Sequence, residues 1–144
     1  MGVRALALFN ILSVILWSTG LIIHRRGYIT QGYLLITVEN IAHAAVCIVV
    51  IGWDTGFQYL VLVQPVCVFV LHWSTGRKVI VASIYCFAYI ALNYYASVSV
   101  PIIELSEIYI AVVNYGNIIV ICLILTSLGY IYIYSFSHHC RRKT

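Results

Sequence analysis

The residues best suited to chemistry in this chain are Glu39 and His43, within the run Glu39-Asn40-Ile41-Ala42-His43. They are four apart, so on a helix they share one face. A carboxylate beside an imidazole favours the imidazolium and can exchange a proton with it. Cys47 extends the same stripe by one turn, and Asn40 borders it. These residues lie inside an apolar stretch, where an ionisable group is costly. They should therefore face other protein elements and have partners there. Ser13 and Gln64 fall at a similar depth, and Asn117 approaches it from the other end. Gln64 also precedes Pro65, whose ring frees a backbone carbonyl nearby. Glu39, Asn40, His43 and Gln64 form the candidate intramembrane site. Its structural alternative is interhelical hydrogen bonding that holds a bundle together.

Glu39, His43, Cys47 and His72 are all metal-type ligands. His72, however, falls about two helical turns from His43 in depth, so no metal site is expected, and no cofactor. The segment His138-His139-Cys140 adjoins basic residues and reads as a solvated tail rather than a ligand set. A second candidate site is the loop around Trp53, Asp54 and Phe57, where aromatics at a membrane interface are the structural alternative. No nucleophile–base triad, phosphate loop or nucleotide fingerprint is present, so this chain is not expected to be an enzyme. Asn114, Gly116 and Asn117 suggest close helix packing.

The elements that must carry these groups are set by composition. Of 144 residues, 63% are hydrophobic and 8% charged. Soluble domains carry about a quarter charged residues, and a short soluble chain could not hide this much apolar surface. The expected fold is all-α, a polytopic transmembrane helical bundle of about five spans. The apolar runs are residues 5–23, 32–53, 57–73, 79–97 and 108–135, each near the ~20 residues needed to cross hydrocarbon. The bundle fills residues 1–137, and residues 138–144 form a basic cytoplasmic tail. Cys47, Cys67, Cys86 and Cys122 lie within apolar runs, and no cysteine has zinc-finger or redox-pair spacing.

Charge sets the orientation. His24-Arg25-Arg26, Arg77-Lys78 and Arg141-Arg142-Lys143 fall on one side of the bundle, while Asp54, Glu104, Glu107 and Arg4 fall on the other. The positive-inside rule puts the basic side and the C-terminus in the cytoplasm and the N-terminus outside. The net charge of +4 comes from short clusters beside apolar runs. These suit anionic headgroups of the lipid bilayer, and no nucleic-acid partner is expected.

Several segments occur in an order that resembles a known family. They are Asn10-Ile11-Leu12-Ser13-Val14 with Trp17, Arg26-Gly27, Glu39-Asn40-Ile41-Ala42-His43-Ala44 and Gly52-Trp53-Asp54-Thr55-Gly56-Phe57-Gln58-Tyr59. They are similar to the N-terminal multi-helix membrane region of bacterial signalling proteins bearing class III nucleotidyl cyclase or GGDEF diguanylate cyclase domains. The first half carries the likeness, and the second half shares only the helix pattern. The family pattern has one further helix upstream, and no cyclase domain is present here. The resemblance implies a sensor or anchor module in a bacterial inner membrane, multi-pass, signalling through its last helix to a cytoplasmic cyclase or other output partner. Two rival expectations are a small ion, proton or solute channel or transporter, commonly a homo-oligomer, and a non-catalytic assembly subunit.

Overall fold

The computed structural model describes residues 2–71 and 73–141, with side chains described through Tyr130 apart from those of Gly2, Val3 and Ala5. The sequence expectations for His72 and for the 138–140 side chains fall outside what is described.

The described residues are all-helical. The elements are α1 (Gly2–Arg25), α2 (Ile29–Ile51), a 3-10 turn (Trp53–Thr55), α3 (Gln58–Val70), α4 (Thr75–Val98) and α5 (Glu107–Arg141). Backbone groups in hydrocarbon must be paired within their own segment, which is why β-branched runs such as Ile48–Ile51 fold as helix. Four helices are long and apolar enough to cross a membrane: Leu6–Arg25, Ile29–Ile51, Thr75–Val98 and Glu107–Tyr130. The third apolar run is shorter than the sequence suggests. Its helix holds 13 residues, about 20 Å at 1.5 Å per residue, against a hydrocarbon core of roughly 30 Å. The left-handed Gly56 (φ 85°) delays its start, and Leu71 turns to extended backbone at its end.

α2 is the central helix, packing on α1, α3, α4 and the 3-10 turn. Its buried face runs through Ile36, Glu39, Asn40, Ala44, Cys47, Ile48 and Ile51. The apolar core joins Ala44 to Val61 and Val68 of α3 and to Val81 and Tyr85 of α4. α1 and α2 meet backbone to backbone. A Cβ on Gly32 would lie 2.6 Å from the Gly20 carbonyl oxygen and 2.8 Å from the His24 nitrogen. Small residues at such a crossing let helices approach where lipid gives no hydrophobic drive for association.

The helix ends are closed locally. The α1–α2 turn forms a Schellman pair, with the Tyr28 amide donating to Ile23 O (3.2 Å) and the Gly27 amide to His24 O (3.1 Å). Lys78 Nζ donates to Phe69 O at 2.9 Å, satisfying a carbonyl in the last turn of α3. At the opposite, acidic end, the α4–α5 connection folds over α2. The Ile102 amide donates to Val49 O (3.2 Å) and the Ile103 amide to Val50 O (2.8 Å). α5 lies along α3 and the 3-10 turn. None of its residues from Glu107 to Tyr130 is buried.

Candidate functional site

α2 brings Glu39, Asn40 and His43 to its contact with α1. Glu39 Oε1 lies 3.5 Å from His43 Nδ1, and the carboxylate side chain is 4% exposed. The same Nδ1 lies 2.8 Å from the Ser13 hydroxyl. His43 is held between two rings, stacked on Phe9 at 5.6 Å and tilted against Phe57 at 5.5 Å. Trp17 Nε1 donates to Asn40 Oδ1 at 3.1 Å. The expected partnership of Ser13 with His43 is therefore present, and Trp17 packs between helices by a hydrogen bond. The arrangement can hold a proton or share one between carboxylate and imidazole.

Of two further residues expected at this level, Asn117 lies elsewhere. Gln64 is buried in α3, but among the described residues no hydrogen bond joins it to Glu39, Asn40 or His43. Asn117 turns to the acidic end, where its amide donates to Thr55 O at 2.9 Å. α5 begins at Glu107, so Asn117 is only about 15 Å along it, level with the inward-folded 3-10 turn. Depth counted along isolated spans misses that inward fold.

The sequence carries no sign of a second polar patch in the core. Tyr33, Thr37 and Tyr85 gather where α2 meets α4. Tyr85 is 1% exposed, its hydroxyl approaches those of Tyr33 and Thr37, and among the described residues the buried Trp73 indole NH has no hydrogen-bond partner. Tyr33 packs edge-to-face on Trp73 at 5.2 Å. Trp53 packs similarly on Tyr89 at 5.5 Å. Both tryptophans thus contact the bundle as well as marking its ends. Among the described residues, no three His, Cys, Asp or Glu side chains gather as a metal site.

The loop site divides. Phe57 faces His43, whereas Trp53 and Asp54 line a cavity of about 370 Å³ at the acidic end. The last turn of α2, the end of α4 and the connection carrying Pro101 and Glu104 complete its walls. Tyr95 and Glu104 were not legible as site residues, because only the folding of that connection onto α2 brings them near Asp54. Asn114 Nδ2 donates to the backbone carbonyl of Asp54 at 2.9 Å, beside the Asn117 bond to Thr55. A Cβ on Gly56 would meet Asn114 Oδ1 at 3.0 Å, so the left-handed glycine also makes room for this contact. A Cβ on Gly116 would have nothing within 4 Å. This corrects the expectation that Gly116 mediates close packing: it faces away from α3 and the turn. Comparison with protein-family models, curated proteins and solved structures finds no match to this chain.

Proposed function

We propose that this chain is a membrane-embedded sensory or anchor module that passes a change at its acidic end through α5 to a cytoplasmic output domain or partner. The observation that carries the reading is the pair of amide hydrogen bonds from Asn114 and Asn117 to the backbone of Asp54 and Thr55. α5 is otherwise an apolar helix with no buried residue between Glu107 and Tyr130. Through these bonds its position is tied to the turn that borders the cavity. A stimulus transmits only if it favours one arrangement over another, and displacement of this turn is a two-bond lever on α5. Phe57 links the same turn to His43, so the intramembrane cluster and the cavity adjoin one joint. The resemblance to the membrane regions of bacterial signalling proteins supports the same reading, with the basic end in the cytoplasm.

A reporter adenylate cyclase domain fused after Thr144 tests it in cells lacking their own cyclase. At matched membrane expression, the Asn114→Leu/Asn117→Leu fusion should give a different cyclic AMP level from the parent fusion. Equal output would remove the basis for α5 as the transmitting helix. The proton-pathway reading rests on the Ser13–His43–Glu39 chain bridging α1 and α2. Proton flux into liposomes that is lost in Glu39→Gln would favour it instead.

A further inference from the structure

We propose that the cavity at the acidic end binds a small organic cation with an ammonium head. Its volume of about 370 Å³ falls at the lower end of small-molecule pockets, which run ~300–1,000 Å³. Among the described residues, the only charged ones lining it are Asp54, from the 3-10 turn, and Glu104, from the α4–α5 connection. Both are exposed at the cavity, and among the described residues neither has an ion-pair partner. The cavity also abuts the last turn of α2, whose carbonyls at Val49 and Val50 are taken up by the Ile102 and Ile103 amides. Two carboxylates therefore meet in one space with no basic residue among the described lining.

The rest of the wall selects the kind of cation. Trp53 and Tyr95 supply aromatic faces, which attract ammonium groups over their π clouds. Ile51 and Pro101 supply hydrocarbon for a carbon skeleton. A bare divalent ion needs six or more oxygen ligands in the case of calcium, and two carboxylates carried by separate elements supply too few. A charged head with an alkyl body matches both halves of the lining. The wall is preformed, because the connection bearing Glu104 is pinned to α2 by the Ile102 and Ile103 amides. The site deepens the sensor reading, and for its effect on α5 it rests on that reading, since the backbone of Asp54 holds Asn114.

Isothermal titration of the full chain in lipid nanodiscs tests the site with choline, tetramethylammonium and butylamine as probes. Calcium chloride and 3,3-dimethylbutan-1-ol, the neutral isostere of choline, are the comparison arms. The expected result is saturable binding of at least one ammonium probe, about tenfold weaker in Asp54→Asn and in Glu104→Gln. Trp53→Leu should weaken it about threefold. Both carboxylates are exposed, so these variants should fold, and unchanged helical circular dichroism checks this. No saturable ammonium binding, equal binding of the neutral isostere, binding of calcium alone, or affinity indifferent to both carboxylates would each overturn the proposal. Ammonium binding without any change in the fused cyclase output would leave the site standing and remove the sensor reading.

Discussion

Replacing Gly32 by alanine should loosen the α1–α2 contact on which the intramembrane cluster depends. The added Cβ would stand 2.6 Å from Gly20 O, 2.8 Å from His24 N and 3.0 Å from His24 Cβ. Comfortable C···O separations are about 3.3–3.6 Å, so α1 must retreat by roughly 0.7 Å. Two of the three atoms are backbone, so no side-chain rotation relieves the clash. Overpacking of this kind costs about 1–3 kcal/mol. Alanine is the better helix former by about 1 kcal/mol, which offsets part of that cost. Gly116→Ala makes the same propensity change in open space and should therefore stabilise slightly. The difference between the two variants isolates the steric cost, about 2 kcal/mol. Steric trapping in bicelles measures it. Gly32→Ala should also lengthen the Ser13–His43 and Trp17–Asn40 bonds, which cross the same contact. A Gly32→Ala protein as stable as Gly116→Ala would refute the close-approach argument.

Trp17→Phe removes the indole donor to Asn40 and should cost about 0.6–1.7 kcal/mol, read by the same unfolding assay. His43→Ala takes away the partner of Ser13 and the ring between Phe9 and Phe57. It should cost more than Glu39→Gln, which keeps the shape of the side chain, and paired unfolding curves would show the order. The amides of Ile102 and Ile103 bond to α2, so they should exchange hydrogen more slowly than those of Val100 and Glu104; equal rates would mean the connection does not hold the cavity wall. Single cysteines at positions 54 and 104 should react with a membrane-impermeant maleimide from outside intact cells, while cysteines at 26 and 77 should not. The reverse pattern would invert the assigned orientation.

Much of the architecture could be read from the residues. The apolar runs announce helices, and the four-residue spacing of Glu39 and His43 places them on one face whatever the tertiary fold. Ser13 could be paired with His43 by depth because α1 and α2 are joined by a short turn that keeps their registers aligned. The misreadings have a common cause in long-range folding. The 3-10 turn and the α4–α5 connection both fold inward at the end of α2. That fold draws Asn117 to Thr55 rather than to the intramembrane cluster, and it brings Glu104 to the cavity. Phe57 follows Gly56, whose left-handed backbone turns the ring toward His43 rather than into the cavity. Tyr85 looks like any aromatic in an apolar helix; only the convergence of α2, α3 and α4 buries it. The shortness of α3 is set at its ends, by Gly56 and Leu71, and hydropathy does not register such ends.

Asn114 and Asn117 tie α5 to the turn bordering the cavity. Spin labels at exposed Phe69 on α3 and Leu123 on α5 would measure this tie by double electron–electron resonance in nanodiscs. The parent protein should give one narrow distance distribution, and Asn114→Leu/Asn117→Leu should broaden or shift it while the helical content stays unchanged. An identical distribution in both proteins would contradict the account, because α5 would then be positioned by its apolar contacts alone.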